Sequence, residues 1–450
     1  MQTIASDPKG GSLPELIPEK QQARSLLRTF IALRHRNFRL FWFGQMISLI
    51  GTWMQTTAQA WLVLELTHSA WLLGVVGALQ FLPVLVLSLF GGVLADRLPK
   101  RTVLIFTQSS AMILAAILWI LVATGYVQIW HVLILAGLLG LTNALDMPTR
   151  QAFVPEMVGR EDLPNAIALN STLFNMARVL GPGLGGLLIA WLGVAPLFLL
   201  NAVSFIAVII GLALIDMKNL HGVAYLAGGK QNRPKQSTFQ SLREGLVYVG
   251  RTPAVLLVIA VVGVVSLFGI NFNVVLPLFA TNVLNSGAIG FGFLSSAFGL
   301  GSLISALWIA WGNNRPSIRF MVLSALIFSV AEILFALSPI YLLSLVLIAS
   351  VGFAQIAFSA VANTTLQTIT PAHLRGRVMS VYMMVFAGST PLGNLFIGGL
   401  AHFYSAPIAL LAGGVLSLLA AVAGWIWRKP AEKDLTSNYE SRMASAIAGD

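Results

Sequence analysis

Twelve apolar runs, each about twenty residues long and so able to cross a bilayer as a helix, follow one another between residues 40 and 427. Charge, proline and glycine close them off at 40–64, 70–95, 101–123, 129–147, 164–190, 195–215, 255–281, 287–311, 318–337, 340–362, 375–401 and 406–427. The pattern predicts an all-α membrane protein with twelve transmembrane helices. Trp42, Trp71, Trp130, Trp425 and Trp427 stand near run ends, where amphipathic rings settle at the headgroup level. One break is far longer than the rest. The polar stretch from Asp216 to Pro253 divides the runs six and six. It predicts a six-helix bundle at 38–215, a cytoplasmic linker at 216–253 and a second bundle at 254–427. Tails at 1–37 and 428–450 flank them.

The halves share features at fixed offsets. Leu73-Gly74 matches Ile289-Gly290 at an offset of 216, and Ser171 and Pro182 match Ser380 and Pro391 at 209. Fused six-helix halves around a midplane site are one of the transporter architectures.

Composition sharpens the class. The chain is 57% hydrophobic and 10% charged, against about 25% charged residues in a soluble domain. A soluble globule of this kind would expose large apolar patches. There are no cysteines, which excludes disulfides, thiolate metal sites and cysteine nucleophiles. The first 27 residues are polar and lack an apolar h-region, so they read as a flexible cytoplasmic tail rather than a signal peptide.

The net charge of +11 reports topology. Of the 27 Lys and Arg residues, 26 lie in the two tails and the even-numbered connections. The odd-numbered connections carry none, and Arg178 lies inside the fifth run. By the positive-inside rule, both termini and all even connections are cytoplasmic. The expected location is the inner (plasma) membrane, with the bases touching anionic inner-leaflet lipids. Nucleic acid is not an expected partner.

The cluster "GGVLADRLPKR" at 91–101 interrupts the oily sequence with charge after the second run. It resembles the loop signature of the major facilitator superfamily, with Gly92, Asp96, Arg97, Lys100 and Arg101 matching and Pro99 where the family has glycine. "GPGLGG" in the fifth run resembles an antiporter motif of that superfamily, through Gly181, Pro182, Gly185 and Gly186. The stretches "LDMPTRQAFVPEMV" (145–158) and "NAIALNSTLFNMARVLGPGLGG" (165–186) resemble the subgroup of enterobactin exporters and macrolide-efflux proteins. The resemblance implies the major facilitator fold, two pseudo-symmetric six-helix bundles, and an exporter of small molecules. It further implies that Asp96 docks against the start of span 11, near Thr370 and Pro371, as a latch favouring the outward-open state. Arg97, Lys100 and Arg101 would hold that carboxylate ionised and bind lipid phosphates.

Within span 5, Ala177, Gly181 and Gly185 recur every four residues, a small-residue face that lets helices approach closely. Pro182 allows a bend. Arg178 is a charge near the middle of a span, costing about 2.5–3.5 kcal/mol on insertion scales and calling for a cavity or a partner. Asp146 either pairs with Arg178, exposing a proton-exchanging carboxylate to the cavity, or bonds Arg150 one turn on. The other proton-coupling candidates are Glu65 and Glu332. Glu332 lies on span 9, which the resemblance makes outer scaffold.

In such folds spans 1, 4, 7 and 10 line the cavity, helped by 2, 5, 8 and 11. The candidates there are Trp53, Gln55, Gln59, Asn143, Asn175, Asn271, Asn273, Gln355 and Asn363, with Met54, Phe272 and Phe358 as an adaptable apolar wall. Few acids with many amides and aromatics suggest a hydrophobic or amphipathic substrate, siderophore- or drug-like. There is no GxxxxGK[ST] loop and no metal-spaced histidine motif, so neither ATP hydrolysis, enzyme activity, a cofactor nor a metal is expected. The expected function is secondary export by alternating access in exchange for protons, by a monomer. An uncoupled facilitator or importer, and a non-transporting membrane sensor or scaffold, are the alternatives.

Overall fold

The computed structural model describes residues 30–221, 238–311 and 317–447, with side chains described outside 88–97, 238–242, 372–373 and 431–447. The remainder of the N-terminal tail, the middle of the linker, residues 312–316 and the last three residues lie outside the described residues. Every regular element among the described residues is helical.

The first six spans are α1 (Arg36–Thr67), α2 (Ala70–Arg97), α3 (Lys100–Ala123), α4 (Ile129–Val158), α5 (Leu163–Leu192) and α6 (Ala195–Ala213). Helix α7 (Thr238–Arg251) follows in the linker. The seventh span is α8 (Pro253–Phe268) and α9 (Phe272–Asn282), and spans eight to twelve are α10 (Gly287–Trp311), α11 (Ile318–Ala336), α12 (Tyr341–Ile369), α13 (Ala372–Phe403) and α14 (Ala406–Ile447). Counting α8 and α9 together, eleven segments are both long and apolar enough to cross a membrane. Helix α1 is as long, but Gln55, Thr56, Thr57 and Gln59 dilute its middle.

Local sequence sets many of the boundaries. Proline stands in the first turn of α5, α6 and α8, where its missing N–H has no helical partner to lose. Helices α4 and α5 stop at Gly159 and Gly193, both with φ near +75°, a conformation that penalises side chains.

Several elements differ from the sequence expectation; α12 runs on to Ile369 and α14 to Ile447, past the expected ends at 362 and 427. Helix α4 runs to Val158 through Pro148 and Pro155 rather than stopping at 147. Phe153, Val154 and Met157 on the added turns are buried beside Phe38, Phe41 and Phe205, so tertiary burial outweighs the two lost backbone bonds. The seventh span breaks at Gly269–Asn271. The linker ends in an amphipathic helix, α7, which docks on α13 through a Glu244–Arg377 ion pair. Gly245 lies so close that a Cβ there would sit 2.8 Å from the Arg377 carbonyl. The α4 extension has a direct test. Phe153→Ala should lower unfolding free energy by about 3–5 kcal/mol, read as a fall in melting temperature in detergent; an exposed tail would tolerate it.

The two halves meet face to face along α5 with α10 and α2 with α13. The repeat noted above pairs span 2 with 8 and span 5 with 11, so each contact is the image of the other. One continuous apolar core joins Leu62, Val132 and Phe198 of the first half to Phe272, Phe279 and Phe291 of the second. A separate core holds the opposite ends of α1, α3, α4, α5 and α6, around Phe38, Leu104, Phe153 and Leu212. That is the end carrying Lys100, Arg101, Arg150 and Arg160.

Candidate transport site

Helices α1, α5, α9 and α10 enclose a cleft of about 110 Å³ between the two halves. Helix α1 contributes Trp53, Thr56, Thr57 and Ala60, and α5 contributes Arg178 and Pro182. The second half adds Phe272, Asn273 and Leu276 from α9 with Phe291, Ser295 and Phe298 from α10. The volume is below the roughly 300–1,000 Å³ of drug-sized sites.

The glycine motif of α5 brings these helices together. A Cβ on Gly181 would collide with Trp53, and one on Gly185 would lie 3.3 Å from Thr57 Cβ, so both glycines seat α5 on α1. Gly186 faces the other half, where an added Cβ would sit 2.6 Å from the Ala288 carbonyl and 2.8 Å from Gly292 Cα. Gly292 packs reciprocally on the Pro182 carbonyl. Ser296 Oγ donates to the Val179 carbonyl at 2.6 Å, next to Arg178.

Arg178 is the charge of the cleft. Its guanidinium carbon lies 4.7 Å from the Phe298 ring centroid, a cation–π contact of about 0.5–2 kcal/mol. Among the described residues it has no carboxylate partner. Asp146 does not reach it. Asp146 is buried, accepts from Thr107 Oγ1 and Gln108 Nε2 at 2.7 Å each, and accepts from Arg150 Nε at 3.0 Å. Arg150 also donates to Gln45. The local i,i+4 partner therefore takes Asp146, and Gln45, Thr107, Gln108, Asp146 and Arg150 form one network across α1, α3 and α4. Of the two partners open to Asp146 in the sequence, Arg150 holds it and Arg178 does not.

Other candidates also move. Asn201 Nδ2 donates to Gln55 Oε1 at 2.7 Å, so Gln55 ties α1 to α6 away from the cleft. Gln59 and Gln355 are buried outside it. Asn175 donates to the Ser171 carbonyl, and Asn363 accepts from Gln367. Asn143 does not line the cleft, nor do Met54 and Phe358, which are core residues. Asn271 is buried at the break of the seventh span, its Nδ2 on the Leu267 carbonyl. Of the candidates, Trp53, Phe272 and Asn273 line this cleft. Thr56, Thr57, Ser295 and Phe298 were missed; Phe298 is one of many aromatics in apolar runs, and nothing local marks it.

Glu65 is exposed at the end of α1 and accepts from Trp61 Nε1 at 2.6 Å. Glu332 is 1% exposed on α11. In the charged loop, the side chains of Gly92, Asp96 and Arg97 lie outside the described residues. Among the described residues, the two bases that follow have partners outside that loop. Lys100 Nζ pairs with Glu156 on the α4 extension at 2.7 Å. Arg101 donates to the carbonyls of Leu212 and Ala213 at 2.8 and 2.6 Å, capping the C-terminal end of α6, where a cation is favourable. Thr370 does not cap α13 either: it ends α12, and its hydroxyl is buried without a partner.

Comparison with known proteins agrees with this architecture. A family model described as transmembrane secretion effector matches residues 27–447. The multidrug efflux pump Tap of Mycolicibacterium fortuitum is 30% identical over 408 residues, covering 88% of this chain and 97% of Tap. The enterobactin exporter EntS of Escherichia coli is 29% identical over 409 residues, covering 88% and 94%. A solved POT family transporter in complex with 5-aminolevulinic acid superposes with a TM-score of 0.66 at 13% identity, over 88% of this chain and 96% of that one. A nucleoside transporter, NupG, gives 0.65 at 14%, over 89% and 99%. A chain with eleven segments long and apolar enough to cross a membrane, in two facing halves and matched by that model over residues 27–447, is a multi-pass membrane transporter: it belongs to the transmembrane secretion effector family of the major facilitator superfamily.

Proposed function

We propose that this protein is a secondary exporter that carries an amphipathic small molecule bearing an acidic group out of the cytoplasm, by alternating access and in exchange for cations, with protons the first expectation. The observation that carries the reading is Arg178: a guanidinium with no carboxylate partner among the described residues, set among Trp53, Phe272 and Phe298 where the two halves meet. Such a site favours a flat apolar body with one anionic end. The kinship with Tap and EntS supports a drug- or siderophore-like substrate.

The distribution of bases supports a cytoplasmic position for both termini. The shared apolar core then lies toward the outside, and the separate core around Phe38 and Phe153 toward the cytoplasm. This supports reading the structure as the inward-facing member of the pair, with 38–215 and 254–427 as the rocking units. The chain acts as a monomer in this reading.

Proteoliposomes with an imposed pH gradient test the reading, using the amphipathic anion anilinonaphthalene sulfonate within a wider panel of charged and neutral dyes. Arg178→Ala should weaken transport of anionic members by about 10- to 100-fold, the loss of a charge-assisted contact of about 1.5–3 kcal/mol, chiefly through KM. Arg178→Lys should recover part of it. Equal loss for neutral and anionic dyes would remove the anionic end from the proposal, and transport indifferent to the gradient would remove proton exchange.

A further inference from the structure

The break in the seventh span sits beside the most enclosed acid among the described residues. Glu332 on α11 is 1% exposed and its Oε2 has no hydrogen-bond partner. Ser417 on α14 is 0% exposed and its hydroxyl is also without a partner. Both oxygens crowd one face of Gly269: a Cβ there would lie 2.8 Å from Ser417 Oγ and 3.1 Å from Glu332 Oε2. On the other side, a Cβ on Gly413 would crowd the carbonyl of Phe268, the last residue of α8, and lie 3.5 Å from Glu332 Oε1. Asn271, two residues past Gly269, has a third buried oxygen without a partner, Oδ1.

This arrangement lacks a counter-charge. Residues 253–282 of the seventh span, 342–369 of α12 and 406–427 of α14 contain no Asp, Glu, His, Lys or Arg, and Tyr341 begins α12. Arg319, at the far end of α11, is the other charged residue on the helix of Glu332. A carboxylate in such surroundings is unstable without a cation. The C-terminal end of α8 adds the partial negative charge of a helix terminus. Broken membrane helices hold cations in this way, with the carbonyl end of a half-helix beside an acidic side chain. Three glycines, 269, 413 and 414, leave space too small for any organic group.

We propose that Glu332, Ser417 and the carbonyl end of α8 form a binding site for one small monovalent cation, a proton or Na⁺, and that this site is the coupling site of the transporter. The second clause rests on the proposed exporter function; the first does not. The path to the cleft is short. Phe328 lies one turn before Glu332 and its ring centroid is 6.3 Å from that of Phe272, the first residue of α9. Phe272 lies 5.0 Å from Phe298, whose ring carries Arg178 at 4.7 Å. When the cation leaves, an ionised Glu332 repels the carbonyl end of α8. The break shifts, and Phe272 shifts with it. The side chains that hold the substrate anion thus respond to the occupancy of the cation site, and by linkage the substrate changes the affinity for the cation.

The test needs no substrate. Full-length protein in lipid nanodiscs is titrated by infrared difference spectroscopy, and radioactive sodium binding is measured on the same samples. Loss of a neutral-pH carboxylic-acid band in Glu332→Gln identifies the proton. Saturable sodium binding in the wild type that Glu332→Gln abolishes identifies Na⁺. An unchanged spectrum together with absent or unchanged sodium binding overturns the site. Ser417→Ala, which removes one hydroxyl and keeps the acid, should shift the same band or weaken sodium binding several-fold; no effect there overturns the site as drawn, even if Glu332→Gln fails to fold. Once a transported dye is known, Phe272→Ala should keep cation binding and lose gradient-driven accumulation at least tenfold. Retained accumulation would separate the site from transport.

Discussion

Gly186→Val will hold the two halves apart at their shared core and lower transport by roughly tenfold or more. The added Cβ would fall 2.6 Å from the Ala288 carbonyl and 2.8 Å from Gly292 Cα. Both are backbone atoms of α10 and cannot turn aside as a side chain can. Overpacking of this kind costs about 1–3 kcal/mol, and the cost falls on one conformation alone. A bias of that size moves a two-state equilibrium by about 5- to 150-fold. Because the chain contains no cysteine, a single Thr57→Cys reporter in the cleft can be added cleanly. Its labelling by an impermeant maleimide from outside should speed up in the Gly186→Val background. Gly183→Ala is the control, since its Cβ would meet the movable hydroxyl of Ser296 at 2.8 Å. Identical labelling rates in all three would sink the argument.

Asp146→Asn should destabilise the first half by about 3 kcal/mol, the lower end of the range for breaking a buried ion pair. The Asp146 side chain is 5% exposed and that of Arg150 25%. Asparagine keeps the shape and removes the charge that Thr107, Gln108 and Arg150 share. The measurement is melting temperature in detergent, in a cycle with Arg178→Ala. Since the two residues do not touch, their effects should add to within about 0.5 kcal/mol. Strong non-additivity would restore the Asp146–Arg178 pair.

The spans were legible because lipid forces every backbone group into an internal bond, and a run of apolar residues therefore has one fold open to it. Faces were less legible. Arg178 announced itself by its price in a membrane, yet its neighbour Phe298 was one aromatic among many. Asp146 had two suitors in one dimension, and the nearer one, Arg150, holds it. Gln55 looks like a cavity amide in sequence and is an α1–α6 tie in space. The break at Gly269–Asn271 hides because valines, leucines and phenylalanines on both sides keep the average hydropathy high. Helix α7 hides for the opposite reason: Leu242, Leu246 and Val249 stand at helical spacing inside a polar stretch, and the longer polar context masks them.

The glycine motif of α5 has two sides with different working lives. Gly181 and Gly185 touch α1 within one half, a contact that must form once, during assembly, and then stay. Gly186 touches α10 across the halves, a contact that must be made and broken at every turnover. Enlarging the first pair should therefore reduce how much protein reaches the membrane, with normal turnover in what remains. Enlarging Gly186 should leave the amount unchanged and slow each molecule. A few adjacent residues would thus separate into a class read by quantifying protein and a class read by timing it.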